Sequence, residues 1–161
     1  MSNKAMRSHC PINFALESFG DMWSLLILRD IVFWGKHSFK EFQESKEGIA
    51  TNILTDRLSK LVASEILVKS ADKKDGRRSI YTLSEKGLDL IPMLCEISGW
   101  SSIYDDKTTA PKEFVQKVRE NRTAMYSLMR HVVGNGGSFF AGEGSVVEKM
   151  QCISSSDVSI S

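Results

Sequence analysis

The chain is poor in cysteine, and what it has forms no pattern. Cys10, Cys95 and Cys152 are far apart and odd in number among 161 residues. With no CxxC pair and no histidine at a metal-ligand spacing from a cysteine, no metal is expected, and the usage suits the reduced thiols of a cytoplasmic protein. Long apolar runs are missing too. The opening MSNKAMRSHCP is basic but lacks the apolar core of a signal sequence. No window approaches the roughly 18 apolar residues of a membrane span, so no membrane is expected among the partners. Catalytic patterns are equally scarce. His9, His37 and His131 are scattered, and neither a G-x-S-x-G elbow nor a phosphate-cradling glycine loop occurs. No acidic pair shares a helical face with a base, so neither an enzyme nor a cofactor is expected. An excess of one charge is the last absence, the formal net charge being +1. That leaves nucleic acid open, because binding depends on local patches rather than on the total.

What is present is a globular composition, 42% hydrophobic and 25% charged, in a chain long enough for one well-buried core with appendages. Pro11 suits the first position of a helix carrying Phe14, Ala15, Leu16 and Phe19, with Cys10 as its N-cap. Gly20 and Asp21 end it. The run WSLLILRDIVFWG is apolar on most sides, as a central helix should be. Ser38 and Glu41 have capping-box spacing, which starts a short helix through about Gln43. After a turn near Gly48 comes IATNILTDRLSKLV, residues 49 to 62. Its Leu54, Leu58, Leu61 and Val62 line one helical face for a core.

The opposite face of that helix carries Thr51, Asn52, Thr55 and Ser59, short hydrogen-bonding side chains where a solvated helix would show Lys, Glu and Gln. Such residues can reach base edges in the major groove, with Asn suited to adenine and Thr to a base or the thymine methyl. Arg57 and Lys60 are expected at the flanking phosphates, and Ser38 and Lys40, at the start of the helix before, are further candidate DNA contacts. Asp56 is discordant unless it pairs with Arg57 or accepts from a cytosine amino group. Next, ILVKSA (66 to 71) and SIYTL (79 to 83) read as strands around an Asp75-Gly76 turn. Lys73, Lys74, Arg77 and Arg78 flank that turn, where projecting cations can follow a phosphate backbone.

Taken in order, these residues resemble the HxlR family of bacterial transcriptional regulators, winged helix-turn-helix proteins related to the MarR group. The likeness runs over about residues 9 to 100. It rests on Cys10-Pro11, GDMWSLLILRDI with Trp23 and Arg29, Phe39 and Glu41, Leu54-Thr55, Arg57-Leu58, and YTLSEKG from Tyr81 to Gly87. It implies a homodimer on double-stranded DNA with a pseudo-palindromic operator. Three positions depart from the family pattern. Ala50 replaces a serine N-cap, Glu65 replaces a glycine where the backbone would be left-handed, and the wing reads DGRR as in MarR proteins.

The expected fold is therefore mainly α with a two-stranded β wing, an α+β winged helix-turn-helix dimerising through its terminal helices. Residues 1–104 form the DNA-binding domain. Residues 105–133 form a linker and one further amphipathic helix, Lys112 to His131. Residues 134–161, rich in Gly and Ser, form a weakly ordered tail. A helix from Ser84 to about Trp100, bent by Pro92, supplies Leu88, Ile91, Leu94 and Trp100 to the dimer seam, together with Phe14 and Phe19 of the first helix. Cys10, at a helix N-terminus near Arg7 and His9, is either an oxidant or electrophile sensor or a packed cap. Residues 112 to 133 either extend the interface or wall a pocket for an unknown small-molecule effector. A winged-helix module that binds protein rather than DNA is the rival reading.

Overall fold

The computed structural model describes residues 7–73 and 75–150, so that Lys74 and Cys152 lie outside the described residues. The chain divides into two compact units. One holds the residues up to Asp30 with Lys36–Thr82, and the other holds Ile31–Gly35 with the residues from Leu83 onward.

The first unit begins with α1 (Pro11–Phe19), which Cys10 precedes in extended conformation as expected, although no side-chain bond caps the helix. Asp21 then caps α2 (Met22–Trp34). Its Oδ1 accepts from the amides of Trp23 and Ser24, and its Oδ2 accepts from the Ser24 hydroxyl at 2.5 Å. The short α3 (Phe39–Gln43) starts at the capping box, with the Ser38 amide and hydroxyl both donating to Glu41 at 2.7 Å. Gly48, at φ 67°, makes the left-handed bend into α4 (Thr51–Ala63). Leu54, Leu58 and Leu61 of α4 are buried in a core shared with Leu28, Phe42, Ile49 and Ile66. Two antiparallel strands complete this unit, β1 (Leu67–Ala71) and β2 (Ser79–Leu83). An isolated bridge from Ser38 to Ile80 and a bond from the Tyr81 amide to the His37 carbonyl (2.8 Å) join the start of α3 to β2.

Glu65 sits at φ 58°, the left-handed conformation anticipated where glycine was missing, and among the described residues it is the one non-glycine there. Ala50 stands at the N-cap of α4, where no side-chain bond caps the helix.

The second unit differs from the expectation in three places. Pro92 does not bend one long helix. The chain breaks into α5 (Glu85–Leu88), capped by Ser84 accepting from the Gly87 amide, and α6 (Ile91–Tyr104), with Pro92 in the first turn. That position has no intrahelical N–H to lose, which is why proline starts the helix. The segment read as one helix from Lys112 is two, α7 (Lys112–Glu120) and α8 (Arg122–Gly134). Asn121 leaves the helical region between them and accepts from the Ala124 amide to cap the second.

The third difference is the largest. Within residues 134–150, read as a weakly ordered tail, Ser138, Phe139, Ser145 and Val146 are packed into the second unit. Phe139 is 1% exposed, and Val146 and Ser138 are buried with it. The amides of Phe139 and Phe140 donate to the carbonyls of Val32 and Phe33, at 2.9 and 3.0 Å. These are carbonyls at the end of α2, which a helix terminus leaves without intrahelical partners. Phe139 also lies edge-on to Phe114 and Phe140, each at 4.6 Å between ring centroids.

Candidate nucleic-acid interface

The first unit presents α4 with one side in the core and the other exposed. Thr51, Asn52, Thr55 and Ser59 are all exposed, and they fall within one strip of the helix. The hydroxyls of Thr55 and Ser59 donate to the carbonyls of Thr51 and Thr55, both at 2.8 Å. Each therefore shows its lone pairs outward. Lys60 is half-buried at the edge of the strip, and Lys40 of α3 is exposed, with Glu44 3.8 Å away.

Two of the residues expected on DNA are engaged within the chain. Arg57 is bound within the protein, its Nε donating to Asp21 Oδ1 at 2.8 Å and its Nη1 to the neighbouring Asp56, with the side chain only 26% exposed. It ties α4 to the cap of α2 and pairs with Asp56, which holds α4 in place. Burial alone would raise the Asp21 carboxyl. The bonds from Ser24 and Arg57 outweigh it and hold the group below the usual range. Ser38 is likewise committed, because its hydroxyl hydrogen goes to Glu41 in the capping box.

A second tether was not expected at all. Asp30, 2% exposed, accepts from Arg29 Nε (2.9 Å) and Nη2 (2.7 Å), from Lys36 Nζ (3.2 Å) and from the Ser45 hydroxyl. Arg29 also reaches Glu47, whose carboxyl is pushed down to about 2, first by that hydrogen bond and further by the positive charges of Arg29 and Lys36. Ser45 and Glu47 belong to the turn between α3 and α4. The turn is thereby fixed to α2 by a buried carboxylate whose bonds are all satisfied, the condition under which a buried charge is tolerated. Asp21, read in the sequence only as the end of the first helix, carries a D-x-x-S spacing that could have signalled the cap; nothing local announced the partners of Asp30.

At the wing, Lys73, Arg77 and Arg78 are exposed, Arg77 to 91% of its side chain. Asp75 accepts from Arg77 Nε at 3.1 Å and lies 3.4 Å from Arg78. The Arg77 bond keeps this carboxyl below its ordinary range and orders the turn. A cleft of about 580 Å³ runs between α3 and β2, and Lys40, Arg77 and Arg78 lie along it.

Cys10 is exposed. Cys95 is buried, its Sγ 3.6 Å from Met129 Sδ, and burial pushes its thiol up to about 12, as suits a core residue. Of the residues expected in the dimer seam, Phe19, Leu88, Ile91 and Leu94 are already buried within the single chain. Phe14 and Trp100 are exposed as expected, Trp100 to 64%. Exposed with them are Ile12 and Leu16 on α1, and Ile97 and Tyr104 on the same side of α6 as Trp100. Because α6 is apolar on both sides, its periodicity could not say which side would be covered.

A buried three-helix core, a helix with an exposed short polar strip and a basic hairpin after it define a winged helix-turn-helix of the DNA-binding kind. The comparisons agree. Residues 18–109, more than half of the chain, match the HxlR-like helix-turn-helix family, and the protein belongs to it. The HTH-type transcriptional regulator YodB of Bacillus subtilis (strain 168) is 31% identical over 96 residues, which cover 59% of this chain and 85% of that one. The reduced form of YodB matches in structure with a TM-score of 0.50 at 27% identity, covering 63% of this chain and 99% of that chain. The crystal structure of PA1607 matches with a TM-score of 0.57 at 38% identity, covering 63% and 72%. The protein is therefore an HxlR-type transcriptional regulator. Among the described residues no helix is long and apolar enough to cross a membrane, and no group of His, Cys, Asp and Glu could hold a metal ion.

Proposed function

We propose that this protein is a cytoplasmic homodimer that binds a pseudo-palindromic operator, with α4 in the major groove and the wing on the flanking backbone. The observation that carries the reading is the exposed strip Thr51, Asn52, Thr55 and Ser59 on a helix otherwise anchored by Leu54, Leu58 and Leu61 and by the Arg57–Asp21 pair. Short polar side chains on a rigid helix are suited to reading base edges at close range. Lys73, Arg77 and Arg78 supply the contacts that hold position without reading sequence. Self-association uses the exposed apolar residues of α6 and of α1. A two-fold dimer then sets the recognition helices about 34 Å apart, roughly 10 bp centre to centre.

Asn52→Ala and Arg77→Ala test this together. The first is expected to relax preference at one position per half-site at a cost of about 1–3 kcal/mol. The second is expected to weaken all sequences alike and flatten the salt dependence by about one phosphate contact. If both lower affinity uniformly, with the base preference unchanged, the strip is not the reading face. Oxidant response through Cys10 is a second part of the proposal. Its support is the exposure of the thiol at the start of α1.

A further inference from the structure

We propose that Gln43, on α3, sets the hydrogen-bond polarity of the reading strip by making Thr51 a donor toward DNA. This rests on the reading of α4 given above and specifies which DNA groups it recognises. Gln43 is exposed, and its Nε2 donates to Thr51 Oγ1 at 2.8 Å. A hydroxyl has one hydrogen and two lone pairs. Thr55 and Ser59 spend their hydrogens on carbonyls one turn earlier in α4. Thr51 opens the helix, so no carbonyl of α4 lies one turn before it. With one lone pair of Thr51 occupied by the Gln43 amide and no carbonyl of α4 to take its hydrogen, Thr51 keeps that hydrogen, along with its second lone pair, for DNA. The exposed strip thus carries a hydroxyl able to donate at Thr51 and hydroxyls left with lone pairs alone at Thr55 and Ser59.

That order has chemical consequences. A donor at Thr51 requires an acceptor on the DNA. Guanine N7 and O6, adenine N7, thymine O4 or a phosphate oxygen all qualify, whereas cytosine shows only its amino group in the major groove. Thr55 and Ser59, as acceptors, require the amino group of adenine or cytosine. Gln43→Glu reverses the first assignment. A carboxylate only accepts, so the Thr51 hydrogen turns inward to it and a lone pair faces the DNA.

The test is selection of bound sequences from random duplexes, with affinities measured in parallel, for the wild type, Gln43→Glu, Thr51→Val and the double variant. If Thr51 donates to a base, the wild type excludes cytosine from one column of the half-site, and Gln43→Glu moves that column from guanine or thymine to adenine or cytosine; a wild type that selects cytosine there overturns the donor assignment. If Thr51 meets a phosphate, no column moves and Gln43→Glu weakens every sequence. In both cases the penalty of Gln43→Glu is about tenfold larger when the Thr51 hydroxyl is present than in the Thr51→Val background, the worth of one hydrogen bond. An equal penalty in the two backgrounds means that only the added charge acts, and it overturns the role of Gln43 while leaving α4 as the reading helix. A wild type that selects no sequence overturns the reading of α4 and this inference with it.

Discussion

Truncation of Phe139 is the most direct test of how the second unit is held together. The ring is 1% exposed and is met edge-on by Phe114 and Phe140 at 4.6 Å and by Phe33 at 6.0 Å. Phe139→Ala removes a fully buried ring with little means of collapse around it, because its neighbours are themselves rigid aromatics. The transfer loss plus the cavity left behind amounts to about 3–5 kcal/mol. For a chain of this size the melting temperature falls about 2–4 °C per kcal/mol, so a drop of roughly 6–20 °C is expected in the transition of this unit. Phe140→Ala, at a half-buried position, is expected to cost about half as much. Thermal and urea denaturation followed by far-UV circular dichroism give both values. A Phe139→Ala shift within about 2 °C would refute the packing argument and return residues 134–150 to the status of a loose tail.

Two backbone positions offer gains. Ala50→Ser supplies the missing cap of α4 and is expected to add about 1 kcal/mol by urea denaturation. Glu65→Gly relieves a left-handed conformation that costs about 1–2 kcal/mol, against a smaller loss through the freer unfolded chain; a destabilised variant would show that the side chain contributes more than the strain. The Glu47 carboxyl, brought to about 2 from 4.5, contributes stability that is fully present above the ordinary value and is lost as pH falls from about 5 toward 2. Being 38% exposed, the group is screened, so the contribution stays below about 1 kcal/mol, and Glu47→Gln should remove this part of the acid dependence of the urea midpoint. Iodoacetamide near neutral pH should label Cys10 and spare Cys95, as peptide mass spectrometry would report. If oxidation acts through Cys10, peroxide should lower DNA affinity of the wild type and not of Cys10→Ser. Loss in both would move the response elsewhere.

The readable features were those whose cause lies within a few residues of their effect. The capping box at Ser38, the Asp75-Gly76 turn, the left-handed Glu65 and the empty cap at Ala50 are all local matters of hydrogen bonding and backbone sterics, and each stands as anticipated. Pro92 was misplaced because periodicity ran through it, while the structural cost of a missing N–H depends on where the helix begins. The tail was misjudged because glycine and serine content speaks for the average residue. Two phenylalanines among them reach the free carbonyls at the end of α2, a hundred residues earlier in the chain.

The amino-acid sequence by itself determined the class of the protein. The apolar spacing of Leu54, Leu58 and Leu61 compels a helix with one buried side and leaves Thr51, Asn52, Thr55 and Ser59 on the other, and no distant contact is needed to place them there. Only the tertiary structure decided which polar groups remain available. Arg57 and Ser38 look free for DNA in the sequence, yet one is held by Asp21 and the other by Glu41. Gln43 carries no signal of its own until it lies 2.8 Å from Thr51. The same holds for the two apolar sides of α6. A hydrogen has one acceptor and a helix face one covering, and which group takes them is settled by surfaces that meet only when the chain has folded.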